Sequence, residues 1–158
     1  MEKIYTTNNY KQTQKLGKDL AKEILKMSPQ KRAIVLSLQG NLGGGKTTFL
    51  QGLAKGFGIK EKVLSPTFVI QKRFSLKGLK FKNLYHIDCY RLNSPKDIVE
   101  LGFKDNLANP LNIIAVEWPE KIKKVLPRET IKISFEFIDE NRRKIVFTFP
   151  SFTAIIKK

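Results

Sequence analysis

The sequence predicts an α/β fold, a layered domain in which helices cover a mixed central sheet. Two patterns indicate this fold class. In the first two thirds of the chain, short apolar runs alternate with helical spacing, and in the last third apolar and polar residues alternate one by one. The chain has 158 residues, of which 41% are hydrophobic, so it fits one domain, residues 1–158, that buries its own core.

The first predicted elements are a strand, a helix and a second strand. Residues 3–6 have the composition of a short strand, and residues 11–27 carry one apolar stripe that ends before Pro29. Residues 34–39 form an apolar run that begins with β-branched residues. We interpret this run as a buried strand of the sheet.

A glycine-rich loop follows this strand directly. Residues 40–47 match the pattern G-x-x-x-x-G-K-[ST], in which backbone N–H groups wrap a chain of phosphates and glycine lets the backbone come close. Lys46 can reach the β- and γ-phosphates, and the Thr47 hydroxyl can bind Mg²⁺. The residues expected to surround the phosphates are Gly43, Gly44, Gly45, Lys46, Thr47 and Thr48. Apolar residues four apart then predict a helix that ends near Gly58, so we predict a P-loop NTPase-like domain that binds a nucleoside triphosphate.

The middle of the chain predicts a hairpin and a short helix. Residues 67–75 and 79–87 read as two extended segments that turn near residues 77–78. Ser94 followed by Pro95 is typical of a helix start, with serine as the N-cap and proline at the first helical position.

The last part of the chain predicts a buried strand and a second hairpin. Residues 111–116 form a continuous apolar run, typical of a strand buried on both faces, and Pro119 ends it before a further helix. Residues 131–137 and 145–149 alternate on either side of a polar turn, and a last strand is predicted at 152–156.

Two carboxylates at strand ends are candidate ligands of Mg²⁺. In sheets of this kind the ligand lies outside the carboxyl ends of the strands, and Mg²⁺ prefers oxygen ligands. Glu117 follows the continuous apolar run, and Asp88 ends the preceding strand. The residue pattern alone leaves both open as the metal ligand.

Other side chains near these carboxylates are candidates for the same site. His86, Asp88 and Tyr90 recur at every second position, which places them on one face of an extended chain. His86 would orient or charge groups near the γ-phosphate, although a lone histidine is more often structural. Arg91 would reach a phosphate or form a surface salt bridge. Trp118 is interpreted as a core residue, with a lid over the site as the alternative.

A four-residue segment, Ser65, Pro66, Thr67 and Phe68, lies between the loop helix and the first hairpin. Pro66 restrains it, and the Thr67 hydroxyl could bind Mg²⁺ or the γ-phosphate in one nucleotide state and release it in another. An ordinary turn is an equally good interpretation of these residues.

The chain is strongly basic. Its 30 Lys and Arg residues stand against 14 Asp and Glu residues, for a formal net charge of +16. Such an excess attracts polyanions such as nucleic acid, although a lysine-rich solvated surface explains it equally well.

The single cysteine, Cys89, excludes an internal disulfide, and no apolar run is long enough to span a membrane. With no signal-peptide pattern, we expect a reduced, cytoplasmic protein with no membrane partner.

Five motifs, in this order and spacing, resemble the TsaE (YjeE) family. They are GNLGGGKTTF at 40–49, SPTF at 65–68, HIDCYRL at 86–92, ELGF at 100–103 and VEWPEK at 116–121, and the likeness covers nearly the whole chain. The family comprises bacterial P-loop ATPases required for the N6-threonylcarbamoyl modification of adenosine 37 in tRNAs that read codons beginning with A. The chain departs from the family pattern at Asn41, where Asp is usual, and at Gly44, where Ala is usual. Neither position supplies a side chain essential to phosphate binding.

The resemblance implies an ATPase that uses ATP and Mg²⁺ and works with the TsaB and TsaD proteins, and that contacts tRNA only indirectly or weakly. It implies that Thr47 and Glu117 bind Mg²⁺, and that Asp88 and Lys46 act with Glu117 in hydrolysis. It also implies that residues 65–68 form the first switch segment. Without its partners such an ATPase is expected to be slow.

The resemblance also suggests where the nucleotide base lies. The base is expected between the chain before Thr13 and the C-terminal hairpin near Arg142, with Asn9 as a further contact.

Two other functions would use the same features. A small-molecule kinase would have the same loop, but it would need several arginines in a lid over the phosphates, and only Arg142 and Arg143 are paired in the sequence. A non-catalytic basic module that binds nucleic acid agrees with the net charge but not with the intact loop. A GTPase switch would need the guanine-reading tetrapeptide N-K-x-D, which the sequence lacks.

Overall fold

Seven strands form one mixed sheet in the part of the chain that the structure, a computed structural model, describes: residues 1–64 and 69–151. In chain order the strands are β1 (Glu2–Thr7), β2 (Ile34–Gln39), β3 (Gln71–Ser75), β4 (Asn83–Asp88), β5 (Asn112–Glu117), β6 (Ile131–Phe137) and β7 (Arg143–Thr148). The helices are α1 (Tyr10–Lys26), α2 (Lys46–Gly56), α3 (Pro95–Glu100), α4 (Phe103–Ala108) and a 3₁₀ helix (Pro119–Val125). The predicted α/β fold with a mixed sheet is confirmed.

The strand order decides which residues meet at each edge of the sheet. The order is β1-β7-β6-β2-β5-β4-β3, with β2, β4, β5 and β6 parallel and the remaining pairs antiparallel. We call the edge where the four parallel strands end the carboxyl edge; it is formed by Gln39, Asp88, Glu117 and Phe137. The opposite edge, where the same strands begin, is the amino edge; it is formed by Ile34, Asn83, Asn112 and Ile131.

Helices cover both faces of the sheet. α1 and α2 pack on one face around Phe49 and Leu53, and the shorter helices pack on the other face around Phe103 and Ile114. α1 and α2 approach closely at glycines: a Cβ at Gly17 would overlap the carbonyl oxygen of Phe49, a residue of α2. This close packing sets the first turn of α1 beside the loop that precedes α2.

Most of the predicted elements are confirmed within two residues. The helix that follows the glycine-rich loop has Phe57 as its C-cap, and Gly58 follows with a left-handed φ of 77°. The short helix starts as predicted, with a capping box between Ser94 and Asp97 and Pro95 in the first turn. Among the described residues the longest helix, α1, has 17 residues, and no helix is long and apolar enough to cross a bilayer.

The first hairpin and the segment after Pro119 differ from the prediction. β4 begins at Asn83 rather than at residue 79, because residues 76–82 form a longer connection closed by Leu76 N–H donating to Lys82 O at 2.8 Å. The helix after Pro119 is a 3₁₀ helix with a kink at Ile122. β3 begins only at Gln71, while predicted strand residues 67–68 and the last strand at 152–156 lie outside the described residues.

Candidate nucleotide-binding site

The phosphate loop lies between β2 and α2 at the carboxyl edge. Its backbone is left-handed at Gly43 and Gly45, with φ of 76° and 101°, a conformation that residues with a Cβ rarely adopt. α2 begins at Lys46, directly after Gly45, so the positive end of the helix adjoins the loop. The loop thus has the tight turns and the helix terminus that favour an anion.

Lys46 is 5% exposed although it carries a charge. Its Nζ donates to the carbonyl oxygen of Gly40 at 2.5 Å and lies 3.9 Å from the centre of the Trp118 ring. Burial lowers the pKa of Lys46, and nearby carboxylates, Glu117 foremost, oppose that shift. The cation is therefore held inside the site, by a carbonyl and an aromatic face, before any phosphate arrives.

The two candidate carboxylates lie side by side, because β4 and β5 are paired in parallel with Asp88 opposite Glu117. Glu117 is 3% exposed, and its Oε2 lies 2.8 Å from Nε2 of His86. Asp88 is half-buried, and its Oδ1 accepts a hydrogen bond from the Tyr90 backbone N–H at 3.0 Å. His86 itself is buried behind Glu117, so it contacts the carboxylate and is not among the described residues that line the cavity.

A cavity of about 600 Å³ joins the loop to these carboxylates. Its volume falls within the range usual for small-molecule sites, about 300–1,000 Å³. It is lined by Leu42, Gly43, Gly44, Gly45, Lys46, Thr47, Thr48, Val69, Ile70, Asp88, Tyr90, Arg91, Glu117, Trp118 and Arg143. All of the loop residues expected to hold phosphates, both carboxylates and Arg91 therefore line one cavity.

Tyr90 and Trp118 form an aromatic wall of the cavity. β4 ends at Asp88, so Tyr90 lies in the following turn, and the prediction that His86, Asp88 and Tyr90 share one face of an extended chain is wrong for Tyr90. The Tyr90 and Trp118 ring centres are 5.0 Å apart. Trp118 is half-buried with a left-handed φ of 56°; it packs against the core on the α3 side while its ring lines the cavity. Trp118 therefore has features of both interpretations, a core residue and a lid over the site.

The oxygen atoms in the cavity fit a hard divalent cation. Thr47 supplies a hydroxyl and Glu117 a carboxylate, and Mg²⁺ usually completes its shell with phosphate and water oxygens rather than with many protein ligands. Residues 1–64 and 69–151 contain no group of three or more His, Cys, Asp or Glu side chains placed to hold a metal by themselves.

A second, smaller cavity of about 140 Å³ adjoins the first, where the nucleotide base was expected. Asn9 and Thr13 line it; Asn9 also caps α1 by accepting from Gln12 N–H at 2.9 Å. The opposite wall comes from the β6–β7 turn, with Glu140, Asn141 and Arg143. The segment that ends at Thr13 and the β6–β7 hairpin, between which the base is predicted to lie, therefore line one cavity.

Arg142 and Arg143 occupy different positions. Arg142 is exposed and bonds Asp139 at 2.7 Å, which lowers the pKa of Asp139 to about 2; Arg142 lines neither cavity. Arg143 lines both, and its Nη2 donates to the carbonyl oxygen of Gly43 at 3.0 Å. The sequence predicts Arg142 as the contact of the base, whereas Arg143 is the arginine that lines the cavities. The signal for Arg143 is its place as the first residue of β7, opposite Thr7 and Phe137 at the carboxyl edge.

The predicted switch segment, Ser65, Pro66, Thr67 and Phe68, lies outside the described residues. The residues on either side of it, Leu64 and Val69, are exposed, and Val69 lines the larger cavity.

Comparison with known proteins agrees with this geometry. The family model of the threonylcarbamoyl adenosine biosynthesis protein TsaE matches residues 7–145. The chain is 38% identical to the TsaE protein of Rickettsia felis over 137 residues, which cover 86% of this chain and 74% of that one. It is 40% identical to TsaE of Bacillus subtilis over 114 residues, which cover 72% and 68% of the two chains.

A solved structure shares the fold as well. The crystal structure of YdiB from Bacillus subtilis superimposes with a TM-score of 0.71 at 32% sequence identity, covering 94% of this chain and 86% of that one. The motif order, the phosphate loop at the carboxyl edge and the family match over most of the length lead to one conclusion: the chain belongs to the TsaE family of tRNA threonylcarbamoyladenosine biosynthesis proteins.

Proposed function

We propose that this protein is a Mg²⁺-dependent ATPase that supports threonylcarbamoylation of adenosine 37 in tRNA, in the cytoplasm, together with TsaB and TsaD. The observation that carries the proposal is the single cavity in which Lys46, Thr47, Asp88 and Glu117 converge. This cavity combines a phosphate-binding loop with two carboxylates, whereas a module that only bound nucleic acid would need neither.

The loop and Lys46 bind the triphosphate. Backbone N–H groups of the loop and the first turn of α2 surround the β-phosphate, and Lys46 leaves the Gly40 carbonyl for the β- and γ-phosphate oxygens. This exchange is favourable because a buried ammonium group gains an anionic partner in place of a neutral carbonyl.

Thr47 and Glu117 would hold Mg²⁺, which supplies charge neutralisation for the β- and γ-phosphates. His86 lies behind Glu117. Its Nε2 is 2.8 Å from Oε2 of Glu117, and this contact fixes the orientation of the carboxylate. The role proposed for His86 is thus positioning, through a residue that lines the cavity.

Asp88 is the residue we assign to hydrolysis. It is less buried than Glu117 and lines the same cavity, and one of its carboxylate oxygens is anchored by the Tyr90 N–H. An anchored carboxylate at the water-accessible side of the γ-phosphate can orient the attacking water.

Partner proteins are proposed to complete the site. The exposed residues Leu42, Val69 and Tyr90 line the cavity, with Leu42 73% exposed, and exposed Leu64 directly precedes the segment 65–68. Such a concentration of exposed apolar side chains favours a protein partner over bulk water. We assign that partner to a TsaB–TsaD complex and expect slow hydrolysis in its absence, with nucleotide-dependent changes in residues 65–68 coupling the two proteins.

Reconstitution of the modification under multiple-turnover conditions tests the proposal. With TsaB, TsaD and substrates present, repeated rounds of tRNA modification should require this protein and ATP hydrolysis, and TsaB with TsaD should accelerate that hydrolysis. Lys46→Ala should support neither. Fast hydrolysis that ignores TsaB and TsaD, together with repeated modification supported by Lys46→Ala, would contradict the proposal.

A further inference from the structure

The amino edge of the sheet is strongly basic. The four segments that precede the parallel strands there are residues 27–33, 76–82, 109–111 and 126–130. Together they carry six cationic side chains and one carboxylate, Glu129. The six cations are Lys31, Arg32, Lys77, Lys80, Lys82 and Arg128.

These segments form one continuous surface. Lys80 Nζ donates to the carbonyl oxygen of Met27 at 3.1 Å, and Lys82 N–H donates to Leu111 O at 2.8 Å. Lys31 and Arg32 line a groove of about 350 Å³ that reaches Glu129. The edge spans four neighbouring strands, from β6 to β4, which at about 4.8 Å per gap between strands is roughly 14 Å.

The six cations are available to an external anion. All of them are exposed, and none lies within ion-pair distance of a carboxylate in residues 1–64 and 69–151. Five Lys or Arg side chains elsewhere in the described residues form ion pairs, for example Lys15 with Asp19 and Lys144 with Glu136. The amino edge thus carries six cations against one carboxylate, while the carboxyl edge carries the acidic side chains of Asp88 and Glu117.

We propose that the amino edge binds the phosphate backbone of RNA without reading its sequence. A cationic surface about 14 Å long faces several phosphates of a helical nucleic acid at once, since on each strand these recur about every 3.4 Å along the helix axis. The groove floor is aliphatic, with Met27, Ile34 and Ile131, and none of the described residues that line it is aromatic. Base stacking thus has no platform there, which leaves backbone contacts.

RNA is the polyanion that fits the family's process, the biosynthesis of threonylcarbamoyladenosine in tRNA. The proposal rests on that family membership and not on ATP hydrolysis. Because the phosphate loop is at the carboxyl edge, at the other end of the six-residue strand β2, RNA at the amino edge leaves the nucleotide cavity open.

A charge-reversal pair tests the proposal. The test variant is Lys31→Glu with Arg32→Glu and Lys77→Glu, three exposed positions whose side chains form no hydrogen bond within residues 1–64 and 69–151. The matched control is Lys11→Glu with Lys15→Glu and Lys18→Glu, which changes the net charge equally on the exposed side of the first half of α1, beside the phosphate loop. The dissociation constant for unmodified tRNA is measured by fluorescence anisotropy across a salt series.

We expect the test variant to bind tRNA at least about tenfold more weakly than the wild-type protein, with a salt slope shallower by about three, one for each cation removed. The control should stay within about threefold, and both variants should keep the stabilisation by MgATP, which shows that they fold. Equal losses in the two variants would mean diffuse charge attraction and overturn the proposal.

Two further results would also overturn it. One is wild-type protein that fails to bind tRNA at low salt. The other is a test variant that binds tRNA normally but loses its response to TsaB and TsaD, since the amino edge would then dock a protein. The ATPase rates of both variants report on the proposed function separately, so failure of RNA binding and failure of hydrolysis are distinguishable.

Discussion

The two walls of the nucleotide cavity are built in different ways. The phosphate wall is one continuous stretch, Gly40 to Thr48, whose shape follows from left-handed glycines and the start of α2. The carboxylate wall is assembled from two strands, and Asp88 meets Glu117 only because β4 and β5 pair in parallel with that register. The first wall depends on local backbone geometry and the second on the sheet.

Each wall contains a buried charge that is already partnered. Lys46 has the Gly40 carbonyl and the Trp118 ring, and Glu117 has His86. A buried charge without such partners would be costly, so both groups are held in place before ligand binds. The difference is that Lys46 must change partners to reach a phosphate, whereas Glu117 can keep His86 on one oxygen.

The largest expected effect on stability comes from the phosphate wall. A nucleotide at about 100 times its dissociation constant stabilises the folded state by roughly 2.7 kcal/mol, and Lys46→Ala should lose this stabilisation because the phosphates lose their buried cation. Thermal melts with and without MgATP measure it. Lys55→Ala, on the exposed side of the same helix, is the control and should behave as wild type. A Lys46→Ala protein stabilised as much as wild type would place the nucleotide elsewhere.

The carboxylate wall should divide into two roles. Glu117→Ala should weaken the Mg²⁺-dependent part of ATP binding by about tenfold or more, since Mg²⁺ would lose a carboxylate ligand and the loss of even an outer-shell partner typically costs about 10–100-fold in metal affinity. The exposed Glu120, three residues later, is the control.

Asp88→Ala should bind MgATP normally but hydrolyse it about 10²–10⁴-fold more slowly, because water orientation matters chiefly in the transition state. Binding by calorimetry and single-turnover hydrolysis separate the two variants. Exchanged phenotypes would reverse the two assignments while leaving the ATPase proposal intact.

The contrast between the walls explains how much the sequence could predict. The loop, the helix after it and the buried strand β5 follow local rules, and the structure confirms all three. The contact between His86 and Glu117 could not be predicted, because it depends on the register between β4 and β5. Paired residues of these two strands lie 29 positions apart in the sequence, as His86 and Ala115 do. Tyr90 was misplaced because period-two spacing does not reveal that β4 ends at Asp88.

The choice between neighbouring arginines shows the same limit. Residues 142 and 143 are chemically identical in sequence, and only the start of β7 decides which one turns toward the loop. Arg143→Ala should lower ATP affinity by about tenfold, because Arg143 lines both cavities as a cation and its hydrogen bond to Gly43 O holds the phosphate loop in place. Arg142→Ala is the matched control and should change affinity less than about twofold. Equal losses of ATP affinity in the two variants would contradict a separate role for Arg143.

The smallest expected effect is a change in tryptophan fluorescence, which reports whether Lys46 moves from the Trp118 ring to the phosphates. The chain has one tryptophan, and Lys46 Nζ lies 3.9 Å from the centre of its ring. When Lys46 moves to the phosphates the cation leaves the indole face, a contact worth only about 0.5–2 kcal/mol, so affinity changes little but the emission of Trp118 should shift.

Titration with MgATP while recording tryptophan fluorescence measures that shift. Trp118→Phe should abolish the signal and keep ATP binding within about threefold, because phenylalanine retains an aromatic face at lower cation–π strength. Unchanged emission at a nucleotide concentration that fully stabilises the protein would mean that Lys46 stays on the ring. The phosphate wall would then be as fixed as the carboxylate wall, and the contrast between a cation that changes partners and a carboxylate that keeps its partner would not hold.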